Sequence, residues 1–152
     1  MEKLKERSKF SKESTELERA GETKEALAAV EKILAIEREV LGDTHEDVAG
    51  SLNWIGRLKL RLGDWAGARK AYRECVEVHS ALCGKSDWRV NDAQLATADV
   101  DLFEKMTPED RSAAHKAEDS NAVGIRLQQQ GKYAEAGAQF REALAGRRKV
   151  LG

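Results

Sequence analysis

Cys75, His79 and Cys83 follow one another at four-residue steps, and thiolates with an imidazole are zinc-ligand chemistry. Four-residue steps place all three on one helix face. The outer pair then lies about 12 Å apart along the axis, too far to converge on one ion. No fourth ligand completes a tetrahedral set, so neither a metal nor any other cofactor is expected. His45, His79 and His115 are scattered, with no glycine-rich phosphate loop and no nucleophile elbow. That inventory does not make an enzyme.

Asn53 and Asn121 carry more information, each standing ten residues before a glycine, Gly63 or Gly131. Asparagine is a middling helix former that prefers caps, so propensity does not account for it within a helical run. Its amide both donates and accepts, which suits reading the backbone of an extended peptide. The competing use is a bond to a neighbouring helix pair that fixes how the pairs stack. Helical spacing extends the first stripe from Asn53 to Arg57, Leu60 and Arg61, and the second from Asn121 to Ile125, Gln128 and Gln129. Asp99 and Leu102 are expected to contribute from between them. Arg57 and Arg61 have no acid one turn away on their own helix, so an acidic or carboxylate group on a ligand is their expected partner.

The elements that position these residues repeat along the chain. Gly21, Gly63 and Gly131 are each followed 21 residues later by a second glycine, Gly42, Gly84 or Gly152. Five residues after each of the first three comes Ala26, Ala68 or Ala136, and nine after comes Val30, Tyr72 or Phe140. Self-similarity at fixed offsets marks stacked repeats. A glycine stops one helix in the left-handed conformation, and the alanine lets the next helix approach closely. Reversals are therefore expected at Gly21, Gly63 and Gly131, with Trp65 and Tyr133 plugging the hairpin ends. Seven and eight residues before the turn glycine stand Gly56 with Ile55 and Gly124 with Val123. The first copy has Ser14 and Glu13 there, a more polar face suited to a solenoid terminus.

The runs G-D-W-x-x-A-x-x-x-Y, from Gly63, and G-K-Y-x-x-A-x-x-x-F, from Gly131, resemble tetratricopeptide repeats. The 42-residue step from Gly21 to Gly63, with Leu-Gly at the hairpin ends, is similar to the kinesin-light-chain type. The resemblance implies an all-α chain of antiparallel hairpins stacked as a right-handed solenoid of about seven helices. It further implies a non-catalytic scaffold that binds a protein or peptide in a concave groove, where first-helix asparagines contact the ligand. Some members clamp a C-terminal carboxylate, but Ser11 and Leu95 occupy the places matching Asn53 and break that pattern here.

The expected organisation is a single domain, 1–152, with hairpins at about 3–41 and 44–83. An irregular, longer arm spans 86–130, and a final repeat, 109–151, shares its long helix. Thr44 to Asp47 has the form of a capping box, and Thr107-Pro108 that of a helix start. Leu4, Phe10, Leu17 and Ala20 are the expected contacts of the first helix. Trp88, Val90, Leu95, Ala98, Leu102 and Phe103 form the expected apolar face after Ser86. The chain reads as a segment of a longer array, so a structural or regulatory spacer is the alternative function. Weak homo-association through uncapped ends, at Phe140, Val150 and Leu151, is a further expectation.

Charge balance narrows the partners. Lys and Arg total 26 against 27 Asp and Glu, a net charge of −1, without the basic surplus of a nucleic-acid binder. No apolar run reaches membrane-spanning length, and the N-terminus is not a signal peptide, so no membrane partner and a cytoplasmic setting are expected. Cys75 and Cys83 then read as reduced, packed thiols.

Overall fold

The computed structural model describes residues 2–151, the side chains of Lys149 and Leu151 excepted, so expectations about Gly152 and the Leu151 side chain lie outside the described residues. Seven α-helices and no strand are found among the described residues. They are α1 (Glu2–Ala20), α2 (Thr23–Leu41), α3 (Glu46–Leu62), α4 (Trp65–Cys83), α5 (Trp88–Lys105), α6 (Pro108–Gln129) and α7 (Tyr133–Leu151). The chain divides into two compact units, Met1–Glu104 and Lys105–Gly152. The first holds hairpins α1/α2 and α3/α4 with α5 packed behind them; the second is the hairpin α6/α7.

All three hairpins close in the same way. Gly21, Gly63 and Gly131 adopt φ of 81°, 75° and 76°, in the left-handed region that favours glycine. The Gly63 N–H donates to Leu60 O at 3.1 Å and the Asp64 N–H reaches back to Lys59 O at 2.9 Å. Matching pairs of bonds run from Gly21 and Glu22 to Glu18 and Leu17, and from Gly131 and Lys132 to Gln128 and Leu127. These bonds satisfy carbonyls that the helix end would otherwise strand. Asp64 then begins α4 by accepting from the Gly67 N–H at 2.9 Å.

The arms approach closely where small residues meet rings. A Cβ on Gly56 would lie 2.6 Å from Cε1 of Tyr72, and one on Gly124 would lie 2.6 Å from Cε1 of Phe140. Both rings therefore rest on bare helix backbone. In the first hairpin the matching pair is Ser14 and Val30, both fully buried: a smaller partner leaves room for a side chain. In the first unit the core continues through Val48, Leu52, Ile55, Leu58 and Cys75 to Ala93 on α5. Small residues fill the second unit's interface, where Ala117, Ser120, Gly124, Ala136 and Ala143 are buried.

One carboxylate among the described residues is fully enclosed. Glu37 of α2 accepts from Arg7 Nε of α1 and from Ser51 Oγ of α3, each at 2.6 Å. Three helices thus meet on one carboxylate, and a buried charge needs such partners.

Several local expectations change. The start of α3 is capped by His45, not Thr44: His45 Nδ1 accepts from the Asp47 N–H at 3.1 Å. The imidazole reaches the amide two residues on, so the helix begins one residue later than the capping box implies. Leu4, Ala20 and Tyr133 are exposed, so none of the three packs at a helix contact or hairpin end. The α5 face splits, with Val90 and Phe103 buried but Trp88, Leu95, Ala98 and Leu102 exposed. Thr107 does cap α6, accepting from the Asp110 N–H at 3.2 Å.

Candidate functional site

Near the turn end of α1, three residues join it to α3. Trp54 Nε1 donates to Glu18 Oε2 at 2.9 Å, and Arg57 Nη2 donates to Glu18 Oε1 at 3.1 Å. Trp54 and Arg57 project from adjacent rows of α3, whereas Glu18 sits three residues before the turn of α1. One carboxylate therefore spans the seam between hairpins. The α1 side of this seam carries small hydroxyls: Thr15 Oγ1 bonds Ser11 O at 2.8 Å, and Ser8 Oγ bonds Leu4 O at 3.0 Å. Their hydroxyls are tied back to their own helix, which leaves a low, polar strip beside α3.

Asn53 is exposed on that strip, and its amide makes no hydrogen bond among the described residues. Arg57 is exposed as well, but its acid comes from another hairpin 39 residues away rather than from its own helix. Arg61 is half-buried and has a partner within the chain. Leu60, on the same stripe by spacing, is only 5% exposed. Asp99 and Leu102 are exposed on α5.

In the second unit, Asn121 is half-buried and makes no side-chain hydrogen bond among the described residues, while Ile125, Gln128 and Gln129 are exposed along α6. Glu18 and Trp54 were not foreseen from the sequence. A signal existed: Glu18 occupies the place held by Leu60 and Gln128 in the later copies, three residues before the turn glycine. An acid replacing a leucine at a repeat position asks for a partner on the next repeat.

The cysteines do packing work. Cys75 is buried, its thiol donates to Ala49 O at 3.4 Å, and burial pushes it up to about 11, with Glu46 and Asp92 adding to the shift. A thiol held protonated in this way is the opposite of a metal ligand, which binds as thiolate. Beyond Cys75, α4 and α5 enclose an open cleft of about 410 Å³, lined by Arg73, Val76, Glu77, Gln94, Thr97 and Asp101 among others. Arg69 donates to the lining residue Asp101 at 2.7 Å and also engages Glu104. At the start of α5, Arg89 holds Asp87 at 2.9 Å and draws its carboxyl down to about 2.

No helix among the described residues is long and apolar enough to cross a membrane. Family models described as tetratricopeptide repeat match residues 17–85 and 121–152. The stretch left between them contains α5 and the start of α6, where the glycine register lapses. Human tetratricopeptide repeat protein 23 is 27% identical over 98 residues, which covers 64% of this chain and 22% of that protein. The crystal structure of BtubC (BKLC) from P. vanneervenii superposes with a TM-score of 0.53 at 18% identity, covering 96% of this chain and 65% of that one. The chain thus spans about a fifth of the human relative and under two-thirds of BtubC.

Proposed function

Because the chain belongs to the tetratricopeptide repeat family, whose members generally serve as protein-interaction scaffolds, we propose that it is a non-catalytic module binding an extended peptide along its first-arm helices. Each unit offers such a face of its own: the α1–α3 strip around Asn53 in the first, and the α6 face of Asn121, Ile125, Gln128 and Gln129 in the second. One observation carries this reading: the mid-helix amides of Asn53 and Asn121 serve no other part of the chain among the described residues. An amide that fixed the stacking of hairpins would be bonded across a seam, as Glu18 is. Left as they are, both are available to a peptide N–H and C=O. An acidic ligand group reaches Arg57 only by sharing it with Glu18, so backbone reading, and not charge, is the main source of affinity.

Displayed random peptides selected on the whole chain provide the test. Selected peptides are titrated against the wild type, Asn53→Ala and Asn121→Ala, and each variant is also melted. Each substitution should weaken binding by about 0.5–1.5 kcal/mol, the net value of one hydrogen bond, with no loss of melting temperature. A lowered melting temperature with unchanged affinity would mean that the asparagines serve the fold.

A further inference from the structure

Helix α5 carries two apolar stripes. Val90, Ala93 and Val100 are buried against the first unit, while Trp88, Leu95 and Leu102, seven residues apart, are exposed by 71%, 57% and 44%. Single exposed apolar residues are ordinary on a protein surface, but three on one seven-residue repeat form a seam of the kind that packs against another helix. The repeat register identifies the seam. Leu102 stands 42 residues after Leu60, and Ala98 stands 42 after Gly56. In α3 Gly56 lies against Tyr72 of α4, and Leu60 is 5% exposed. In α5 their counterparts are open.

The same face carries acids. Asp92 and Asp99, the latter already engaged within its own chain, interleave with the apolar residues, so that Trp88, Asp92, Leu95, Asp99 and Leu102 form one exposed stripe. Its centre reads Asp, then Leu three residues on, then Asp four further: Asp92, Leu95, Asp99. Helix α7 presents the same spacing with the opposite charge, as Arg141, Leu144 and Arg148. All three are exposed, Leu144 by 50%, although the equivalent Leu34 of α2 is buried beneath α3. Each run spans seven residues, about 10.5 Å of helix, so both charge pairs and the central leucines register together when the helices run parallel, and the leucines are offset by one residue, about 1.5 Å, when they run antiparallel.

We propose that the α5 stripe is a docking seam for α7 of a second copy of this chain, with Leu95 against Leu144 and the two aspartates against the two arginines. The faces are different, so the contact is heterologous: it closes only when reciprocated between two copies and otherwise propagates head to tail. Four exposed charges on a short helix pair make the association weak and salt-sensitive. It involves neither Asn53 nor Asn121, although Asp99 and Leu102 are also the α5 residues expected beside the peptide face.

Charge complementation tests the proposal. The full chain is prepared as wild type, as Asp92→Arg/Asp99→Arg and as Arg141→Asp/Arg148→Asp, and is followed by sedimentation over a range of concentrations and salt. The wild type should associate at low salt, and each variant alone should be weakened by about tenfold or more, since like charges then face each other. Mixed in equal amounts, the two variants should associate again, because each supplies the intact face the other lacks. A separate Leu144→Glu variant, changed at one exposed position, should also dissociate while circular dichroism shows unchanged helicity. A monomeric wild type at millimolar concentration, variants that associate as the wild type does, or a mixture that stays monomeric would overturn the seam.

Discussion

Replacing Gly56 by alanine places a methyl group where Tyr72 already lies. The new Cβ would stand 2.6 Å from Cε1 and 2.8 Å from Cδ1 and Cζ of the ring. Carbon atoms pack at about 3.5–4.0 Å, so the ring or the helix must retreat by about 1 Å. Tyr72 is buried, 6% exposed, and the retreat therefore disturbs the contact between α3 and α4. Overpacking of this kind costs about 1–3 kcal/mol. Against it, alanine is the better helix former by about 1 kcal/mol. Gly50 separates the two effects, because it lies on the same helix with nothing within 4 Å of its would-be Cβ. Gly50→Ala should stabilise, whereas Gly56→Ala should fall below it by the full packing cost of about 1–3 kcal/mol. Gly124→Ala meets Phe140 at the same 2.6 Å, but that ring is only half-buried and can swing toward solvent, so its penalty should be smaller. Urea unfolding followed by helical circular dichroism measures all three. Equal effects at Gly50 and Gly56 would show that the ring has room, and would refute the argument that bare backbone brings the arms together. The chain also supplies a rescue. Gly56→Ser/Tyr72→Val copies the Ser14–Val30 pair of the first hairpin, and the double variant should be more stable than the sum of the single changes allows.

Three further outcomes are expected. Ala68→Leu and Ala136→Leu, at places respectively 0% and 2% exposed, should each cost about 1–3 kcal/mol through overpacking, read as lowered melting midpoints; unchanged midpoints would remove these alanines from the helix contacts. Asn53→Ala should leave the melting temperature unchanged or raise it slightly, since alanine exceeds asparagine in helix propensity by no more than about 0.7 kcal/mol. Arg89 depresses the Asp87 carboxyl to about 2, below its unfolded value, so this pair's contribution is present at neutral pH and is lost as pH falls from about 4 toward 2. Asp87→Asn should therefore lower the melting temperature at pH 6 but not at pH 2, and an equal loss at both would deny the ion pair any part in stability.

The hairpin frame is legible in the sequence because backbone conformation imposes it. Gly21, Gly63 and Gly131 stand where φ is positive, and nothing but the local chain is needed to place them. What lies between hairpins is not legible in the same way. Glu18 reaches Trp54 and Arg57 across more than thirty residues, and no helical spacing connects them. Leu60 is a related case: counting turns from Asn53 places it on the stripe, whereas it is only 5% exposed, which a single-helix count does not reveal. On α5 the opposite error arises. Apolar residues at helical spacing read as one face, whereas they divide between a buried stripe through Val90 and Val100 and an open one through Leu95 and Leu102. Periodicity counts apolar residues; it does not say how many neighbours a helix has.

The enclosed carboxylate of Glu37 also determines how freely this chain's repeats can be rearranged. Shifted by one repeat, Glu37 corresponds to His79, Ser51 to Ala93 and Arg7 to the fully buried Ala49. A first hairpin transplanted into the second position would carry its Arg7–Glu37 pair to a seam that offers an alanine methyl in place of the Ser51 hydroxyl. The hairpins resemble one another closely enough to be aligned, yet they are not interchangeable parts. Duplication or shuffling of the segments would be checked at this single seam, where a misplaced copy leaves one oxygen of an enclosed carboxylate without its hydroxyl partner. Linear order is in that sense inherited along with the fold.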